Sequence, residues 1–368
     1  MRERIFFWCP VLLAWCLPGM APAADFQVLK PAAFAHHVER FNTMEAEGPK
    51  TYIPNAEAWP WLCANIPLFE CPDRQVEEIY YFRWWSLRKH LRRLPQGFVF
   101  TEFLTRPVPI SSALGHHLME LRWLRDPRYA DDYVRYWLRG HDGRPQPHLH
   151  RYSSWLQDAL YQRYLVTHDT PFLVGLLDDL VRDYRSWEQE QQLPSGLFWQ
   201  YDVWDGMEES ISGSRTRKNV RPTINSYMFG NARALAAVAR LAHQPDLARE
   251  FDHKAADLKQ RTQATLWDPA AKFFKVRDED GRLSDAREAI GFLPWYFDLP
   301  DPGYEAAWAQ FPDPAGFHAP FGITTAERRH PRFRSHGCCK CEWDGAVWPF
   351  ATSQTLVALA NVLRDYRP

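Results

Sequence analysis

The sequence predicts an all-α domain built as a closed ring of helical hairpins. Three observations lead there: apolar residues recur near 3.6 spacing through most of the chain, strand-like alternation is scarce, and Pro, Gly and Asp collect between the helical stretches. Helical periodicity covers residues 75–93, 114–124, 129–138, 152–167, 170–191, 226–242, 245–266, 304–310 and 352–366. The breaks fall at Asp126-Pro127, 141–147, Leu193-Pro194-Ser195-Gly196, 299–302 and 312–314, where proline removes a donor or the backbone needs unusual angles. No Gly/Ser linker or composition shift separates these stretches, so they belong to one domain. Helix pairs recur at roughly forty to fifty residues without a shared motif, which fits a ring better than a consensus solenoid. In such a ring, the loops at one end of the inner helices converge on a central cavity.

The first residues read differently. Arg2 and Arg4, an apolar run over 5–17 and then Ala21-Pro22-Ala23 form a secretory signal peptide, too short to span a membrane, with cleavage expected after Ala23. Residues 1–23 are thus the signal and 24–368 the domain, bound for the periplasm or the exterior. Trp15 before Cys16 argues against lipidation. In an oxidising compartment Cys63 and Cys71 are close enough in sequence to form a disulfide across the Pro67 loop. The Cys338-Cys339-Lys340-Cys341 cluster, with His330 and His336 nearby, lacks a second pair at ligand spacing, and His117 with Glu120 lacks a third ligand. No metal and no other cofactor is expected.

At 46% hydrophobic and 15% aromatic residues, the 368-residue chain can bury a large core, which excludes disorder. The balance of 44 basic and 45 acidic side chains, without a long block of one sign, excludes a nucleic-acid arm. The densest basic run, 88–93, reads as the solvated face of a helix.

Chemistry concentrates between 198 and 225, where Asp202, Asp205, Glu208 and Glu209 lie among Trp199, Trp204 and a basic patch ending at Arg221. Indoles stack on the C–H faces of a pyranose, carboxylates bind its hydroxyls, and cleavage of a glycosidic bond needs one carboxyl group kept protonated. An acidic loop capping a helix start is the other reading of this stretch. Four further clusters, 80–85, 116–123, 152–158 and 341–349, set Trp beside charged or amide groups. Core packing explains at least half of the indoles, but explains Arg83, Asp158 and Asp344 less well. No GxSxG, Walker or dinucleotide fingerprint is present.

Gly196-Leu197-Phe198-Trp199-Gln200, the run Trp204-Asp205-Gly206-Met207-Glu208-Glu209-Ser210 and the run from Arg221 through Asn225 to Met228 resemble the six-hairpin (α/α)6 glycosidases. The nearest are the mannosylglycerate hydrolase-like group and glycoside hydrolase families 37 (trehalases) and 63 (processing α-glucosidases). Trp343-Asp344-Gly345-Ala346-Val347-Trp348-Pro349 is similar to the W-x-G-x-x-W segment opening a late inner helix there. The resemblance covers most of 77–366 and implies an (α/α)6 toroid and inverting hydrolysis of an α-linked sugar. It puts Glu208 at the general acid, with Asp205 as the alternative. Arg83, Trp84, Asp158, Trp199, Gln200, Asp202, Asn225, Asp344 and Trp348 become candidate substrate contacts.

The family's general base is a Glu beyond the W-x-G-x-x-W helix, and neither Glu342 nor Glu209 matches its position. The resemblance therefore implies a ring lacking its last one or two helices, nearly inactive and prone to self-association through the uncovered edge. A sugar-binding protein without hydrolysis is the rival reading. An epimerase using His116 and His117 is disfavoured, because adjacent residues point to different helix faces.

Overall fold

The computed structural model describes residues 29–48, 51–335 and 341–366. The expected signal segment, His336, Cys338 and Cys339 lie outside those residues. An N-terminal group comprises α1 (Ala35–Asn42), α2 (Ala58–Asn65) and α3 (Arg74–Lys89), followed by β1 (Leu91–Leu94) paired antiparallel with β2 (Gly97–Phe100). Then come α4 (Leu114–Leu121), α5 (Arg128–Arg139), α6 (Leu156–Thr167), α7 (Thr170–Val174), α8 (Leu177–Gln191), α9 (Pro222–Leu241) and α10 (Pro245–Leu266). Two small hairpins, β3 (Trp267–Asp268) with β4 (Phe273–Phe274) and β5 (His318–Ala319) with β6 (Gly322–Ile323), precede α11 (Pro349–Asp365). Helical hairpins packed side by side in this way are the (α/α)6 toroid architecture that the sequence predicts.

The middle of the ring is α9. Pro222 sets its first turn, and small residues let neighbours approach from every side: Gly230, Ala232, Ala234, Ala236 and Ala239 are all buried. Its neighbours are α6, α8, α10 and a 3-10 segment, Ala289–Phe297, in which all nine residues are buried. That segment lies between α9 and α11, where a further inner helix would run. Pro294 inside it lacks the N–H that an α-helix requires, so the apolar run winds more tightly and shows no 3.6 period. One apolar core extends from α1 to α11, and a small second cluster of Ile211, Ala286 and Ala326 sits elsewhere.

Several expected boundaries move. The 75–93 helix, capped by the Asp73 carboxylate on the amides of Gln75 and Val76, stops at Lys89, and the basic run continues into β1. Arg88, Lys89 and Arg92 are buried, contrary to a solvated face. Arg88 donates to the Ile53 carbonyl and, at 2.8 Å, to Asn55, while Arg92 donates to the carbonyls of Lys89, Leu91 and Leu104. Buried loop carbonyls need donors, and the guanidinium groups supply them; burial pushes Arg88 down to about 10. The 152–167 helix starts only at Leu156, because the Ser153 amide bonds the Trp204 carbonyl and Asn231 holds that of Ser154. The 170–191 stretch breaks at Gly175 and Leu176.

The disulfide expectation is overturned: Cys63 and Cys71 are free thiols. The last turn of α2 holds Cys63, whose carbonyl accepts from Arg125, and the Glu77 carboxylate binds the Cys71 amide. Among the described residues, no helix is long and apolar enough to cross a membrane, and no group of three or more His, Cys, Asp or Glu could hold a metal ion.

Candidate active site

The 198–221 loop is tied down at both ends. At its start Asn225 clasps Phe198, accepting from its amide and donating to its carbonyl, each at 2.8 Å, and donates to the Arg221 carbonyl as well. Antiparallel bridges join Trp199 to Val220 and Val220 to Arg277. The fully buried Asn225 therefore fixes the loop on the first turn of α9 and is closed to a sugar.

Between these anchors a 3-10 turn, Asp202–Asp205, sorts the carboxylates. Asp205 points inward: neither it nor Arg221 exposes any side-chain surface (0% each), and they pair at 2.6 Å while Ser153 donates to the other Asp205 oxygen, also at 2.6 Å. Gln200, fully buried, donates to the same Ser153 hydroxyl. Asp205 holds the scaffold together, with both oxygens occupied. Asp202 is buried, accepts from the Val203 amide at 2.8 Å, and is raised above the usual carboxylate range by burial, against the pull of Arg221 and Arg215. Gly213 makes this possible, because a Cβ there would collide with the Asp202 carboxylate.

Glu208 is half-buried beyond that turn. Burial pushes its carboxyl up, the Asp202 and Glu102 carboxylates add to the rise, and its own backbone amide and Arg215 oppose it. Glu209 adopts a left-handed backbone (φ 60°) and pairs with Arg215 at 3.1 Å. The 341–348 segment closes over this loop, with the Trp343 amide donating to the Glu208 carbonyl at 3.0 Å. Trp343 and Trp348 stack almost parallel, centroids 5.2 Å apart, and the Trp348 indole N–H donates to the Glu342 carbonyl at 2.7 Å. Asp344 binds Arg334 at 2.6 Å, whereas Glu342 meets the same arginine only at 3.6 Å; each acid keeps one oxygen without a hydrogen-bond partner.

Asp202, Glu209, Ser214, Arg215, Arg334 and Asp344 line an open cavity of about 360 Å³. Glu208 is not in its lining; its charge instead adds to the upward push that burial gives Tyr152 and Cys341. Trp199 is buried with its ring beside Tyr201 and under Lys218. Three other expected contacts lie elsewhere. Trp84 is a core residue against Tyr80, Arg83 pairs with Glu120 beside a separate cavity, and Asp158 opens onto another cavity. Trp84 and Arg83 sit on α3 and Asp158 on α6, and none of the three lines the cavity at the loop.

Two acids escaped the sequence reading. Glu102, on the loop after β2, accepts from Ser112 at 2.6 Å and approaches Glu208. Glu288 is buried, accepts from Ser212, and is raised by burial against the attraction of Arg221. Glu288 is a single acid without adjacent aromatics, and Glu102 sits among Phe98, Phe100 and Phe103 in a stretch that reads as a core strand, so neither stands out as a site residue in the sequence.

Residues 106–367 match the family model described as the mannosylglycerate hydrolase MGH1-like glycoside hydrolase domain. The chain belongs to that glycoside hydrolase family. A solved structure named as a sialidase shares 50% identity with a TM-score of 0.90 over 92% of this chain and 32% of its own. This chain thus spans about a third of that relative's length. The GH63 mannosylglycerate hydrolase of Thermus thermophilus, solved with glucose, superposes with a TM-score of 0.57 at 15% identity, over 69% of this chain and 80% of its own. The neutral trehalase of Saccharomyces cerevisiae gives 0.56 at 10% identity, over 74% of this chain and 66% of its own. These last two share the fold.

Proposed function

We propose that this domain hydrolyses an α-linked glycoside with inversion, and that Glu208 gives its proton to the leaving oxygen. One observation supports the donor role above the others: Glu208 is half-buried and raised by that burial, with the Asp202 and Glu102 charges adding, whereas Asp205 is sealed in an ion pair with Arg221. A general acid has to hold its proton near working pH, and a desolvated carboxyl among other acids does so. Asp202, Asp344 and the surrounding arginines then bind hydroxyls and any anionic group of the substrate. Inversion also needs a carboxylate about 6.5–9.5 Å away to activate water. We assign that role to Glu342, which has a free oxygen and only a loose contact with Arg334.

The test is turnover of aryl and natural α-glycosides, with the anomer of the product followed by proton NMR. Glu208→Gln should lower kcat by about 10² to 10⁴ on poor leaving groups and much less on activated aryl leaving groups. Glu342→Gln should lower it on both. Retention of full activity by Glu342→Gln would place water activation on another residue. Binding without release of reducing sugar by the wild type would overturn hydrolysis itself. Export of the chain, expected from its first residues, is tested by the mass of the extracellular or periplasmic product.

A further inference from the structure

We propose that the cavity enclosed by α4, α6, α9 and α11 is a second ligand site, suited to a small polyhydroxylated carboxylate of the sugar-acid class. It measures about 490 Å³, within the usual range for small-molecule pockets of about 300–1,000 Å³. It lies well away from the candidate active site. Arg233, which lines it, is eleven helical residues past Pro222, which at 1.5 Å per residue is about 16 Å along α9.

Its chemistry divides in two. Arg122 and Arg233 face the cavity, and among the described residues neither forms an ion pair. Arg122 spends one nitrogen on the Met119 sulfur at 3.3 Å, and its Nε is sealed from solvent with no partner. Arg233 uses one nitrogen on the Phe297 carbonyl at 2.7 Å. Two guanidinium groups with donors to spare match a carboxylate, which they can hold in a fork. Acceptors for hydroxyl groups share the cavity, within electrostatic reach of the arginines. Asp298, held in a left-handed conformation (φ 54°), has a buried Oδ1 without a partner. Asp158 lies on the same wall, its backbone fixed by Asn231 at 3.2 Å. Tyr161 and Tyr296 add rings of the kind that pack against a sugar, and two further lining arginines, Arg240 and Arg364, are already paired with Asp252 and Asp365. A phosphate or simple carboxylate would leave those acids facing an anion, and a neutral sugar would offer the spare guanidinium donors only hydroxyl groups, with no carboxylate for the fork. A sugar acid satisfies both halves.

Calorimetric titration of the whole chain with D-glucuronate, D-glucose and acetate tests this. D-glucuronate should bind, with D-glucose and acetate each at least tenfold weaker. Arg233→Gln, at an exposed position that leaves the fold intact, should weaken D-glucuronate by about tenfold, and Arg122→Gln should do the same. Asp344→Asn, in the other cavity, should leave the affinity unchanged. Unaltered affinity in Arg233→Gln and Arg122→Gln, both folded by circular dichroism, would overturn the proposal. Acetate binding as tightly as D-glucuronate, or loss of binding in Asp344→Asn, would overturn it equally.

Discussion

Asp205 and Glu208 are three residues apart and of similar chemistry, yet they end in opposite surroundings. Removing the Asp205 charge takes away the buried Arg221's ion-pair partner, so Asp205→Asn should destabilise the fold by about 3–5 kcal/mol, seen as a lower melting temperature. A folded Asp205→Asn protein with normal stability and lost turnover would return the donor role to Asp205. For Glu208 the pH profile is the sharper test. Its carboxyl is raised, so the protonated donor persists above pH 4.5, and kcat/KM should fall on the alkaline side as pH rises through that raised value. Glu208→Gln should abolish that limb. A third residue carries charge for stability alone. His150 lies between Asp183 at 2.8 Å and Glu190 at 3.1 Å; burial works against its charge, but the two hydrogen bonds win and push it up to about 10. Its folded value exceeds the unfolded one, so its contribution is complete below about pH 6.5 and lost as pH rises through 10. His150→Gln should cost about 2 kcal/mol at pH 6 and little above pH 10, by chemical denaturation at both values. The sequence names these acids but not their partners. Whether a carboxylate meets a guanidinium or water depends on a 3-10 turn, and local composition does not encode its direction.

Periodicity locates the long helices because one-sided burial writes itself into the apolar spacing, as in α5 and α10. It fails where burial is complete. The all-buried Ala289–Phe297 segment has no polar face to set a period, and the β1–β2 hairpin hides in a basic run whose charges turn inward. Close approach between elements is equally silent in the sequence until the partner is known. Gly230 on α9 lies against the Phe297 ring, and a Cβ there would overlap it. Gly230→Ala should therefore destabilise by about 1–3 kcal/mol despite the better helix propensity of alanine, as a thermal melt would show. A melting temperature at or above that of the wild type would mean that Phe297 can move aside.

Taken whole, the ring has two helices, among others, that expose apolar side chains at helical spacing. On α3, Val76, Ile79 and Phe82 are exposed; on α11, Leu356 and Leu363 are 52% and 71% exposed, about two turns apart on the same face. Contiguous apolar patches of this kind favour association, so we expect the 368-residue chain to form dimers or larger species. Leu356→Lys with Leu363→Glu should shift sedimentation velocity towards the monomer without loss of helix content; an unchanged distribution would exclude that face. The hydrogen bond from the Trp343 amide to the Glu208 carbonyl also has a consequence in time. Glu208 is synthesised about 135 residues ahead of its brace, and at about 5–20 residues per second the acid loop waits on the order of ten seconds for Trp343. A ribosome-bound chain arrested before residue 341 should keep α9 protected from protease while the 198–221 loop is cut. The position of Glu208, the proposed donor, is thus set late in translation, well after the helix that carries its anchor is complete.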